Sequence, residues 1–228
     1  MGGRQRAQPV HARKFAHSIS PRIIDFPPAA SEREVHKCLI DVYNSAPGAD
    51  GLNAVTLRSV WQAPDWRAAW LMKLFDLCLA TDYHPTPFRE AQVVPIPKPH
   101  KEDLNTPANW RPISLLPTIG KGIKRLVARR LSNSALIHRL TSPQLCGGLP
   151  GRSATDLVES LVHRIEHGLQ NGEVSSLVTL DIEAAYDSVL PGCLACRLHD
   201  YGFDGHDPSR QIDQLTCAWI PSSSLTHS

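Results

Sequence analysis

Ala91-Gln92-Val93-Val94-Pro95-Ile96-Pro97-Lys98-Pro99 is an apolar, β-branched run punctuated by prolines, and Asn109-Trp110-Arg111-Pro112-Ile113-Ser114-Leu115 follows it after a polar turn. Valine and isoleucine in short runs favour extended backbone. Proline cannot donate to a ladder, so Pro95, Pro97 and Pro99 restrict the first run to an edge strand or the arm of a hairpin. The two runs therefore read as one extended hairpin. Residues 91–96 form the outgoing arm, Lys98, His100 and Lys101 sit at the tip, and residues 110–114 return.

Helices are expected on both sides of this hairpin, which makes the chain α+β. Ser31 and Glu34 match a capping box, and Val35, Cys38, Leu39 and Val42 follow at helical spacing to an end near Asn44. Ala46-Pro47-Gly48-Ala49-Asp50-Gly51-Leu52 is rich in turn residues. Trp70, Leu71, Leu74, Leu77 and Cys78 form the apolar stripe of a helix over residues 66–81, which Pro85 and Pro87 stop. A long basic helix is predicted over 120–140, with Ile123, Leu126, Val127 and Leu131 inward and its cations mostly on the other side. After a loop at residues 147–151, Ser153 caps a helix to about residue 168, whose Leu157, Val158, Leu161, Val162 and Ile165 are expected in the core. Asn171-Gly172 is a turn, residues 175–182 read as a strand, and residues 191–201 as a short helix. The apolar pattern fades beyond Asp207, and Pro221-Ser222-Ser223-Ser224 reads as a disordered tail. The implied division is a basic lead-in (1–30), a folded region (31–207) and a tail (208–228).

Charge is unevenly spread. The net charge is only +2, yet residues 105–155 contain no Asp or Glu and eight Lys or Arg: Arg111, Lys121, Lys124, Arg125, Arg129, Arg130, Arg139 and Arg152. A surface of that kind suits a polyanion. Residues 1–24 carry five Lys or Arg and no acid, a composition shared by transit peptides and by plain disordered leaders. No apolar run approaches the roughly 18–20 residues of a membrane span. The six cysteines follow no disulfide framework, which fits free thiols in a reducing compartment.

The strongest chemical signal is Leu180-Asp181-Ile182-Glu183-Ala184-Ala185-Tyr186-Asp187. An apolar strand delivers Asp181 at its C-terminal end, with Glu183 and Asp187 nearby. Carboxylates so placed are the oxygen ligands that divalent ions take. On its own, an acid after a strand is more often a cap or a loop residue.

The order of several blocks resembles the reverse transcriptase of non-LTR retrotransposons. Residues 46–51 resemble the motif at which the fingers begin. Phe88-Arg89 with residues 94–99 resembles the first fingers strand, and residues 109–115 are the most specific match. Residues 144–156 resemble the next block, and residues 181–189 the first palm motif. Together the blocks cover roughly residues 44–204. The resemblance implies polymerase fingers plus an incomplete palm, working on an RNA template and a DNA primer with deoxynucleoside triphosphates and Mg²⁺. It implies that Asp181, with the Ile182 carbonyl, ligates metal. It implies that Tyr186 packs under the sugar, and that Lys98 and Arg111 close over the triphosphate, Lys101 being a rival to Lys98. Lys121, Lys124, Arg125, Arg129, Arg130 and Arg152 are implied along the template or primer backbone. Leu149 stands where the family usually has an aromatic, and Lys124 where it often has an acid.

No Pro-Gln-Gly turn and no Tyr-x-Asp-Asp hairpin comes after Asp187 in these 228 residues. The palm is therefore expected to be cut off after its first motif, and the chain alone to lack polymerase activity. Residues 175–182 are expected to expose an unpaired strand that promotes aggregation. The alternative is a nucleic-acid-binding remnant without catalysis, or a relic without function. Three rival motifs weigh less. His163-x-x-Glu166-His167 matches an inverted zinc-peptidase motif but lacks a third ligand. Cys193-x-x-Cys196 reads as two small buried thiols. Residues 147–153 lack the Lys and the spacing of a phosphate loop.

Overall fold

The computed structural model describes residues 23–24, 26–63, 66–100, 103–182 and 189–203. The chain mixes six α-helices with one two-stranded antiparallel sheet among these residues. Helix α1 (Glu32–Val35) begins at Ser31, whose hydroxyl accepts from the Glu34 amide at 3.3 Å while the Ser31 amide donates to the Glu34 carboxylate at 2.9 Å. This is the expected capping box. The helix then widens into a π-helical turn (His36–Ile40) and stops short of the expected end near Asn44.

The widened turn leaves backbone carbonyls without partners of their own, and guanidinium groups supply them. Arg58 donates to the Ile40 carbonyl at 3.0 Å and also to that of Val42. Arg125 donates to the Cys38 carbonyl at 3.1 Å. Arg58 belongs to α2 (Ala54–Gln62), a helix the sequence reading passed over. Its start is set by Asn53, whose side chain accepts from the Thr56 amide at 2.9 Å.

Helix α3 (Arg67–Ala80) buries Leu71, Phe75, Cys78 and Leu79, while Trp70 and Leu77 are exposed. The predicted stripe was thus correct in period and rotated in phase. Helix α4 (Thr118–Ile137) presents Ile123, Leu126 and Val127 to the core, with Leu131 packed at its margin. Val35, Leu39, Phe75, Ile123 and Leu126 are almost fully buried, so α1, α3 and α4 meet over one core. Gly122 lies at the crossing, where an added Cβ would come within 2.9 Å of Leu39 and 3.1 Å of Phe75.

Between α3 and α4 runs the hairpin: β1 (Gln92–Pro97) and β2 (Trp110–Leu115) pair antiparallel from Gln92 opposite Leu115 to Pro97 opposite Trp110. Lys98 donates its amide to the Asn109 carbonyl at 2.8 Å, which marks that pair as hydrogen-bonded. Pairs alternate along an antiparallel ladder, so Pro97, Pro95 and Pro112 all fall on non-hydrogen-bonded positions. The prolines fit because the ladder asks nothing of their missing N–H groups.

Helices α5 (Ala154–Gln170) and α6 (Pro191–Asp200) complete the order. Ser153 caps α5 as expected, through a capping box with Asp156. Its apolar stripe is a correction. Leu157, Val158 and Val162 are each about half exposed (51%, 57% and 46%), and Leu161 and Ile165 are only partly covered. Periodicity fixed which residues share a face, and no described element covers that face. The segment 175–182, expected as an unpaired strand, has no ladder partner among the described residues and exposes Leu177, Val178, Leu180 and Ile182, as expected; the correction is that it does not form a strand. A strand needs a neighbour to accept and donate its backbone hydrogen bonds. Ile24 and Ala30, within the segment expected as a lead-in, are buried, and Ile24 donates its amide to the Gly202 carbonyl at 2.6 Å just after α6.

Candidate nucleotide and nucleic-acid interface

The hairpin carries two of the expected cations. Arg111 is exposed and pairs across the ladder with Ile96. Lys98 stands one residue beyond β1, and its ammonium donates to the Ala108 carbonyl at 2.6 Å. The tip is held by its own polar groups. Asp103 accepts from the Asn105 amide at 3.0 Å and from the Thr106 hydroxyl. Asn109 donates to the Asp103 carbonyl at 2.7 Å, and the Trp110 indole to the Leu104 carbonyl at 2.9 Å. The Thr106 hydroxyl, and then the Asn105 amide, hold the Asp103 carboxyl below its ordinary range. The ladder register thus places Lys98 and Arg111 on neighbouring arms of one hairpin.

At its base the hairpin runs into α4 beside the turn-rich stretch. Gly48 is buried there, and a Cβ on it would sit 2.5 Å from the Pro117 nitrogen and 2.7 Å from the Leu116 carbonyl carbon. Only a residue without a side chain allows that backbone approach. Thr118 donates to the Leu52 carbonyl at 2.6 Å, and Lys121 to the Ala46 carbonyl at 2.8 Å.

The basic helix divides into two kinds of cation. Lys121, Arg125 and Arg130 turn inward to hold carbonyls or a carboxylate. Burial lowers the Lys121 ammonium and, in the same way, the Arg125 guanidinium. Arg130 donates to the carbonyls of Pro27 and Ala29 and to both oxygens of Glu34. Arg152 does similar work in its loop, donating to the carbonyls of Ser142, Pro143 and Leu145 at 3.2, 2.9 and 2.9 Å. Arg111, Arg129 and Arg139 are exposed, and Lys124 is half-buried beside the His84 ring. Sequence reading counted these charges and missed the acceptors: those of Arg125, Arg130 and Lys121 lie among residues 27–46, far away in sequence, and those of Arg152 lie in its own loop.

His84 also went unnoticed. It is buried between α3 and the short turn at Thr86–Phe88, its ring tilted against Phe88, and neither ring nitrogen has a hydrogen-bond partner. Burial, with smaller contributions from Lys124 and Arg89, pushes its pKa down to about 4.

Asp181 and Ile182 are exposed on the unpaired segment beyond α5, away from the hairpin in sequence and outside the core. Tyr186, Glu183 and Asp187 lie outside the described residues, as does Lys101. Among the described residues no group of three or more His, Cys, Asp or Glu is placed to hold a metal ion. One carboxylate and one carbonyl fall short of the oxygen shell that Mg²⁺ demands. His163 and His167 are exposed on α5, and His167 contacts Asn171 at 3.1 Å. No described helix is long and apolar enough to cross a membrane.

Comparison with known proteins gives this geometry its family. The model for "Reverse transcriptase (RNA-dependent DNA polymerase)" matches residues 96–222, from the end of β1 through α6 and beyond. The chain belongs to the reverse transcriptase family. The chain is 31% identical over 150 residues to the RNA-directed DNA polymerase from mobile element jockey of Drosophila funebris, covering 65% of this chain and 16% of that protein. It is 28% identical over 144 residues to a probable RNA-directed DNA polymerase from transposon BS of Drosophila melanogaster, covering 63% and 16%. It is 28% identical over 195 residues to the putative 115 kDa protein of a type-1 retrotransposable element of the same fly, covering 82% and 18%. The resemblance to non-LTR retrotransposon reverse transcriptases read from the motif order is thus borne out. The chain spans about a sixth of the length of the curated relatives it matches.

Proposed function

We propose that these residues form the fingers and the first part of the palm of an RNA-directed DNA polymerase, and that the ordered hairpin is the nucleotide-facing element. The observation that carries this is the register of β1 and β2, which puts Lys98 and Arg111 on adjacent arms within the matched family region. Guanidinium binds phosphate through two parallel hydrogen bonds, and ammonium acts as a point charge beside it. Asp181, with the Ile182 carbonyl, is the metal-ligand position in this reading, and Tyr186 the one under the sugar. An ion at Asp181 would activate the primer hydroxyl and neutralise phosphate charge. The described residues do not complete such a site, so no catalytic step is assigned to them alone.

The same reading divides the cations. Exposed Arg111, Arg129 and Arg139 face the polyanion. Lys121, Arg125, Arg130 and Arg152 act mainly by holding the backbone that presents them.

Primer extension on a primed RNA template with Mg²⁺ or Mn²⁺ tests the reading. The 228 residues alone are expected to give no product, because they contain no second carboxylate motif. Robust extension that persists in Asp181→Ala would overturn the assignment of Asp181. Binding measured against salt tests the interface: affinity for a primed template should fall steeply as salt rises. Absence of binding at low salt would favour a relic without function.

A further inference from the structure

Among the described residues two cysteines are buried and two are exposed, with Cys146 half-buried between these extremes. Cys38 and Cys78 are buried in the core, where burial raises both thiols, Cys78 to about 11. Such thiols are inert, since the thiolate is the reactive form. Cys193 and Cys196 lie on α6, and both are exposed. That corrects the expectation of two small buried thiols. Residues three apart on a helix share a face, so the two sulfurs project into solvent side by side. The face of α6 that meets the rest of the molecule is a different one, through Leu198 against the core and the Ile24–Phe203 pairing just beyond.

Two chemistries suit a pair of adjacent exposed thiols: ligation of a soft metal ion and closure to a disulfide. A structural zinc site takes four ligands, commonly cysteine and histidine. Among the described residues no third His, Cys, Asp or Glu joins this pair to make a metal group. The helix geometry leaves closure open. Side chains at this spacing have Cβ atoms about 5–6 Å apart, against roughly 3.5–4.5 Å in a disulfide. A modest tightening of one helical turn would bring the sulfurs together.

We propose that Cys193 and Cys196 form a solvent-facing dithiol that undergoes thiol–disulfide exchange with low-molecular-weight disulfides. One cysteine thiolate attacks a sulfur of the small disulfide, forming a mixed disulfide and expelling one small thiolate. The second cysteine thiolate then attacks the protein sulfur of that mixed bond and expels the other. Two protein thiols and one small disulfide become one protein disulfide and two small thiols, which carry away the two protons. Closure works against the helix, so the bridge is strained and easily reduced. The pair is a reversible redox site built into α6, independent of the polymerase reading.

Trypsin offers a clean assay, because no Lys or Arg lies between Arg164 and Arg197, and residues 165–197 carry only these two cysteines. The intact native chain is incubated with glutathione disulfide, blocked with N-ethylmaleimide, digested and weighed. The expected 165–197 peptide is unmodified by the maleimide and lighter by two hydrogens, and dithiothreitol restores it. Cys38 and Cys78 should stay free of glutathione. Cys193→Ser and Cys196→Ser should each trap glutathione on the remaining thiol. A wild-type peptide carrying two maleimides under the same treatment would overturn the proposal, as would glutathione on both cysteines without a bridge. One zinc per chain, lost in either serine variant, would overturn it in favour of a metal site.

Discussion

The Arg130 guanidinium grips both oxygens of Glu34, Nε to Oε1 at 2.8 Å and Nη2 to Oε2 at 2.9 Å. The same carboxylate closes the capping box of α1, so one acid ties the start of the first helix to the middle of α4. Arg130 holds the Glu34 carboxyl down at about 2, against the opposing effect of burial, and Ser31 assists. Arg130 is itself nearly covered, whereas Glu34 is partly exposed (side chains 9% and 36%). Replacing Arg130 by Met should cost about 1–3 kcal/mol of stability, since the Pro27 and Ala29 carbonyls lose their donor as well. Glu34→Gln should cost less, about 1 kcal/mol after allowance for solvent screening. Because folding depresses this carboxyl, its contribution is complete above about pH 4.5 and is lost as pH falls towards 2. Urea unfolding midpoints of the three proteins across that range measure both effects.

His84 should give a second acid transition in a different window. Its folded pKa of about 4 lies below its ordinary value of 6.5, so the unfolded chain binds the proton more readily. The stability it permits is complete above about pH 6.5 and falls as pH drops towards 4. Linkage puts the loss at about 2 kcal/mol by pH 5. The His84→Phe variant keeps an aromatic ring against Phe88 and should flatten the profile between pH 7 and pH 5. A variant profile as steep as that of the wild type would show that His84 is not its source.

Gly48 and Gly51 belong to one turn yet should respond differently to alanine. At Gly48 the new methyl meets the backbone of Leu116 and Pro117, which cannot step aside as a flexible side chain would. A loss of about 2–3 kcal/mol is expected. At Gly51 the space is open, and the cost is that of placing alanine at a φ of 67°, about 1 kcal/mol. Thermal melts of the two variants should rank in that order.

The two kinds of cation should separate in a binding assay. Arg129→Ala should weaken binding to a primed template and lower its salt slope by about one, with only a small fall in the unfolding midpoint from its lost contact with the Cys38 thiol. Arg125→Ala should do the reverse. It leaves the Cys38 carbonyl without its donor, so about 1–2 kcal/mol of stability is lost. Equal effects of both substitutions on affinity would remove the distinction.

Local chemistry was the part of the fold most legible in the sequence. The Ser31–Glu34 and Ser153–Asp156 boxes, the hairpin and the inward face of α4 all depend on residues close together in the chain. Helix α2 was missed because the turn-rich stretch at residues 46–52 runs straight into Asn53, which caps the helix that starts at Ala54. For α3 the stripe was read one notch out of phase, since Phe75 and Leu79 are as apolar as Trp70 and Leu77, and only the neighbours decide between them. Burial of the α5 stripe and strand formation at 175–182 depend on something outside those segments, which periodicity does not encode. In the candidate site, Lys98 and Arg111 were legible through the hairpin that carries them. The internal tasks of Lys121, Arg125, Arg130 and Arg152 were not, because charge in a sequence carries no record of the carbonyl it will meet.

The prolines of the hairpin have a further effect. At non-hydrogen-bonded positions of a two-stranded ribbon, the backbone groups point outward, towards any chain that might join. Pro95, Pro97 and Pro112 occupy such positions, and each removes a donor from the outer rim. A newcomer aligning along either arm would find acceptors without their matching N–H groups. The ribbon can reach into solvent with apolar side chains on both faces and still not recruit a third strand, which leaves its two arms free to meet a ligand.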